Sequence, residues 1–267
     1  MKHFFSLWRG WPLAGLLLIL LLLFGPVARA QAPAPAWQMA IAVSQASAGV
    51  GSSTRATATD ASGNVYIAGE FAGTVSFGNI PLTCTGVRDV FVAKWSPASN
   101  RFVWAQRAGG ASSTSATALA VSGSSVYVSG FFNGSTASFG PATLTNSAPG
   151  NTGFDVFVAK LSDAGSSSSF VWAQAGGSSA YDDTYALAVN GSSIYLAGSF
   201  KGATAHFGPL AISNTNSGGN VSDVFLVKLT DAGSTGRFVW AQQASSAGSD
   251  MTNTRVGRER PNHISDR

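Results

Sequence analysis

One unit of roughly 68 residues is written three times along this 267-residue chain. Trp-Ala-Gln begins at Trp104, Trp172 and Trp240, at intervals of 68 and 68. Asp-Val-Phe begins at Asp89, Asp155 and Asp223, at intervals of 66 and 68. Phe-Gly recurs at Phe77, Phe139 and Phe207, and an Ala-Gly or Ser-Gly step recurs at Gly69, Gly130 and Gly198. Trp37-Gln38 reads as a degenerate start of the same series. Repetition at this period signals supersecondary units that stack on one another.

Each unit parses into four strand-like runs. In the third, these are 185–189, 194–200, 223–229 and 237–242. Asn190-Gly191 and Asp231-Ala232-Gly233 supply turn chemistry between them. β-branched and aromatic residues dominate, and no helical periodicity appears beyond residue 30. Successive side chains on a strand point to opposite faces, yet in Val90-Phe91-Val92-Ala93 both sets are apolar. Both faces of each small sheet are therefore expected to be covered, as blades in a radial or stacked array would be.

Asp60-Ala-Ser-Gly-Asn-Val-Tyr-Ile-Ala-Gly69, Asp89-Val-Phe-Val-Ala-Lys94 and Trp104-Ala-Gln together resemble the seven-bladed β-propeller (SBBP) type of repeat of secreted bacterial proteins. The resemblance covers about residues 37–245. It implies an all-β fold of four-stranded propeller blades, export, and no catalytic set to carry over. Closed propellers use about four to eight blades. Three units would leave an open arc whose exposed edges invite self-association.

The expected organisation is a signal helix in residues 1–30, a linker at 31–36, repeats over 37–250 and a tail at 251–267. Counted from each Trp, the repeats run 37–103, 104–171 and 172–239, followed by the start of a fourth. Lys2 and Arg9 precede an apolar run over 13–24, and Ala28-Arg29-Ala30 forms a cleavage site. That run falls short of the about 20 residues that span a bilayer. The expectation is cleavage after Ala30 and a secreted, periplasmic or cell-surface product without a membrane span. Residues 251–267 leave the repeat pattern, which reads either as a shifted or truncated frame or as a disordered terminus.

Charge narrows the function classes. The chain carries a formal +4, but residues 31–250 hold nine Lys and Arg against ten Asp and Glu. No basic face exists to neutralise phosphates, so nucleic acid is excluded as a partner. The single cysteine, Cys84, reads as a small packed residue. His206 is the one histidine of the repeat region, which leaves no material for a histidine triad or multi-histidine metal site. No catalytic, metal or cofactor set is expected.

Asp89, Asp155 and Asp223 stand five residues before Lys94, Lys160 and Lys228. Their repetition suits strand-start hydrogen bonding and a repeated ion pair or rim charge rather than catalysis. Trp104, Trp172 and Trp240 read as core between units rather than as a sugar platform. The binding candidates are Tyr181, Asp182 and Asp183, an aromatic beside the only adjacent acidic pair of the body, placed in a loop before the first strand of unit three. The long loops 72–88, 133–154 and 201–222 are the foremost candidates for recognition, although their Phe-Gly steps suggest small hairpins docked on the core. Three functions stay open: a non-enzymatic module binding a protein or glycan, a spacer or fragment of a larger cell-surface protein, and a polysaccharide hydrolase or lyase.

Overall fold

The computed structural model describes residues 44–45, 51–148, 153–215 and 221–245. Among the described residues the chain is all-β, with antiparallel strand pairs and no helix. The expected signal segment, the linker, Trp37-Gln38 and the 251–267 tail lie outside the described residues.

The strand β1 (Ser44–Gln45) precedes the first unit. That unit runs β2 (Ser52–Thr59), β3 (Val65–Phe71), β4 (Thr74–Phe77), β5 (Ile80–Thr83), β6 (Asp89–Ser96) and β7 (Arg101–Ala108). The second runs β8 (Thr114–Ser122), β9 (Ser125–Phe132), β10 (Thr136–Phe139), β11 (Ala142–Thr145), β12 (Asp155–Asp163) and β13 (Ser168–Gly177). The third runs β14 (Asp182–Asn190), β15 (Ser193–Phe200), β16 (Thr204–Phe207), β17 (Leu210–Ser213), β18 (Asp223–Asp231) and β19 (Gly236–Ala244).

Four long strands of each unit make one meander sheet, in the orders β2-β3-β6-β7, β8-β9-β12-β13 and β14-β15-β18-β19. The Trp-Ala-Gln strand is therefore the fourth strand of each meander, and in the second sheet the order continues from β13 into β16 and β17. The sheets span 52–108, 114–177 and 182–244.

The Phe-Gly loops do form hairpins, β4-β5, β10-β11 and β16-β17. Gly78, Gly140 and Gly208 sit at φ of 61°, 57° and 58° as the first central residue of each two-residue turn. Only glycine takes that position of a type II′ turn without penalty. Each preceding phenylalanine is fully buried, and its ring lies 4.6 to 5.0 Å from Phe91, Phe157 or Phe225. The β16-β17 hairpin crosses to the second sheet, where it pairs with the end of β13.

The core lies between sheets rather than within one. Tyr66, Val90, Val92 and Trp104 of the first sheet pack with Val126, Val128 and Ala159 of the second. Tyr127, Val156, Val158 and Trp172 of the second pack with Ile194, Leu196 and Val227 of the third. All eight residues of β6 are buried, as the apolar pattern on both faces requires. Isolated as a single sheet, such a strand would expose half its apolar surface to water.

Buried ion pairs stitch these interfaces. Lys94 Nζ lies 2.6 Å from Asp163 Oδ2, and Lys160 Nζ lies 2.6 Å from Asp231 Oδ2. Each aspartate also accepts from a tyrosine of the preceding sheet, Tyr66 at 2.6 Å or Tyr127 at 2.7 Å. Each takes an indole N–H as well, from Trp104 at 3.0 Å or Trp172 at 3.1 Å. Asp89, Asp155 and Asp223 do not pair with the lysines five residues on. They bind the strand-return backbone instead, accepting from the amides of Thr85, Ser147 and Thr215 at 2.8, 2.7 and 3.0 Å. The strand-start role holds; the ion pair runs between neighbouring units.

Candidate functional site

The first strands of the three sheets lie side by side, with β8 against both β2 and β14. Each carries a bulge at the same place. Pairing shifts between Thr54 and Ala56, between Ala116 and Ala118, and between Thr184 and Ala186. Arg55, Thr117 and Tyr185 are thus the extra residues. A bulge bends its strand and re-aims one side chain.

The repeated Ala-Gly or Ser-Gly step exists to seat these bulges. A Cβ at Gly69, Gly130 or Gly198 would fall 1.9, 1.9 or 2.0 Å from the carbonyl oxygen of Ser53, Ser115 or Asp183. No side chain fits there.

The three re-aimed residues line one groove. A cavity of about 400 Å³ is bordered by Arg55, Glu70, Ser115, Thr117, Asp183 and Tyr185. A second, of about 340 Å³, adjoins it through Phe131, Asp183 and Tyr185 and continues past Phe154, Tyr181 and Lys201. An aromatic ladder forms its wall: Phe131 and Phe154 meet edge to face at 5.1 Å, and Phe154 meets Tyr181 at 5.2 Å. Tyr181 is 53% exposed, and Lys201 Nζ stands 5.9 Å from its ring centre.

The candidates separate. Asp182 and Asp183 lie within β14 rather than in a loop, paired with Phe200 and Ser199. Neighbours on a strand face opposite ways. Asp182 is buried and accepts from Ser178 Oγ at 2.7 Å, the Ser178 amide and the Lys201 amide at 3.3 Å. Burial pushes its carboxyl up to about 7; the Ser178 bonds oppose the rise and Asp155 adds to it. Burial likewise lifts Asp155 to about 6. Both carboxylates crowd Gly177, where a Cβ would lie 2.5 Å from Asp182 Oδ2 and 2.6 Å from Asp155 Oδ1. Asp183 is half-buried in the groove, where its Oδ1 accepts the Thr184 amide at 2.8 Å.

Glu70 is a groove residue that no sequence motif singles out. It is buried and bonded to Arg55 Nη2 at 2.7 Å and to Ser115 Oγ, with Arg88 Nη1 at 3.7 Å. Burial works against its charge, yet the bonds from Ser115 and Arg55 win and hold its carboxyl below the usual range. Its equivalents are Phe131 and Ser199, and those of Tyr185 are Arg55 and Thr117. Side-chain identity thus changes from unit to unit at positions that the strand pairing makes equivalent.

No protein-family model and no curated protein matches this sequence. The function must be read from the groove alone. Among the described residues no group of three or more His, Cys, Asp or Glu is placed to hold a metal ion. Cys84 is half-buried; burial raises its thiol, which donates to the Gly86 carbonyl at 3.3 Å. His206 is exposed on β16 and is not among the residues that line the groove.

Proposed function

We propose that the chain is an exported, non-enzymatic binding module of the propeller-repeat type, whose groove across the three sheets takes a glycan. The exposed Tyr181 ring, backed by Phe154 and flanked by Asp183 and Lys201, carries this reading. Aromatic faces with a few converging polar groups suit a ring that is apolar on its faces and hydroxylated at its edges. Arg55, Glu70, Thr117, Asp183 and Tyr185 stand on strands, and Phe154, Tyr181 and Lys201 each sit one residue beyond a strand end, so little ordering cost opposes binding. Asp182 spends its bonds on Ser178 and Lys201, which suits a strut better than an acid in a hydrolase.

In this reading the sheets are propeller blades, export follows cleavage after Ala30, and the product is secreted or held at the cell surface. The test is a glycan array and calorimetry on the chain from Gln31 onward. The expected result is binding of a polysaccharide fragment that Tyr181→Ala weakens at least tenfold. A chain that binds no glycan, or whose Tyr181→Ala variant binds as tightly as the original, overturns the reading.

A further inference from the structure

The third sheet repeats the face that the first two sheets bury, and no described residue covers it as a further sheet would. Val92 and Val158 are 0% exposed, whereas Leu226 at the same position is 42% exposed. Val239 is 48% exposed where Val103 and Val171 are half-buried. Trp104 and Trp172 are buried, and Trp240 is half-exposed. Lys94 and Lys160 each meet a carboxylate from the next sheet. Lys228 stands 5.7 Å from the centre of the Tyr195 ring and meets no carboxylate among the described residues. Tyr195 and Trp240 are stacked at 6.3 Å, as Tyr127 and Trp172 are. The lysine, phenol and indole that receive Asp163 and Asp231 are thus assembled a third time without their acid.

We infer that this face docks a further four-stranded sheet of the same repeat, presenting an aspartate where Asp163 and Asp231 stand. The molecule itself displays that occupant twice. Apolar contact alone would not choose it, but the charge does. A second copy of this chain presents Pro97 on its first sheet, at the place of those aspartates. Stacked on that copy, Lys228 would lose water and gain no counter-charge, which is strongly unfavourable.

The test inserts a second copy of residues 178–245 between Ser245 and Ser246 of the full chain. A thiol is placed at the face by Leu226→Cys in a Cys84→Ser background. Its reaction with a small disulfide reagent should slow at least tenfold in the extended chain. Lys228→Met, or Ala at the inserted counterpart of Asp231, should return most of that rate. As an independent route, Pro97→Asp in the unextended chain gives neighbouring copies the missing acid. That variant should associate as concentration rises, and Lys228→Glu should abolish the association. The unaltered chain should sediment as a monomer. Equal thiol rates in both chains together with a monomeric Pro97→Asp variant overturn the inference. So does self-association of the unaltered chain that Lys228→Glu abolishes, because the occupant is then a second copy.

Discussion

Lys160 and Asp231, 71 residues apart, form a buried pair at 2.6 Å whose carboxylate also holds Tyr127 and Trp172. Three donors converge on one acid, so removing the acid strands all three. Asp231→Ala should lower unfolding free energy by about 3 to 5 kcal/mol. Lys228→Met, at the uncovered equivalent, should change it by less than about 0.5 kcal/mol. Urea unfolding of the two variants measures the contrast. Equal losses would show that the lysine position matters for some reason other than pairing.

The acids divide into two titration windows. Asp155 and Asp182 titrate near 6 and 7 in the folded chain and near 3.8 when unfolded. The folded state therefore binds more protons between those values, and stability falls as pH rises from about 4 to about 7. Glu70, Asp163 and Asp231 are shifted down, so their contribution is present above the unfolded values and lost as pH falls below about 4. The unfolding midpoint should peak near pH 4 to 5. Asp182→Asn should flatten the neutral side of that curve. A midpoint that rises steadily from pH 4 to 7 contradicts this account.

Gly130 tests the seating of the bulge. Gly130→Ala drives a methyl group against the Ser115 carbonyl and the Phe157 ring, and a rigid sheet cannot yield enough. The expected loss is about 3 kcal/mol or more. Gly123 has φ of 58° with nothing near its Cβ position. Gly123→Asn should therefore cost under about 1 kcal/mol. Thermal unfolding of the two proteins separates crowding from backbone strain.

Tyr185 should divide scaffold from recognition. Thr117 fills the equivalent bulge of the second unit, so the backbone accepts threonine there. Tyr185→Thr should lose the bond to Ser199, 3.1 Å away, at about 1 kcal/mol of stability. Glycan affinity should fall at least tenfold in the same calorimetry. Unchanged affinity would remove Tyr185 from the site.

Particular residues show how much was legible. The long strands of unit three lie where turn signals and β-branched runs placed them, extended by one to three residues at several ends. The docked hairpins followed from the recurring Phe-Gly. The sequence marks Tyr181 as an aromatic beside an acidic pair, but it does not by itself separate the two acids. Strand alternation buries Asp182, which lines only the second cavity, whereas Asp183 lines both. Arg55, Thr117 and Tyr185 could not be linked by inspection, because a bulge exists only relative to the partner strand.

The sequence by itself determined the repeat, the strands, the turns and the need to cover both sheet faces. These are local properties, set by backbone preference and by the two-residue alternation of side chains. Tertiary structure alone decided that Lys94 reaches Asp163 rather than Asp89, and that three bulged residues share one groove. Such pairings depend on how whole sheets stack across 69 or 71 residues of chain, a relation no local pattern encodes.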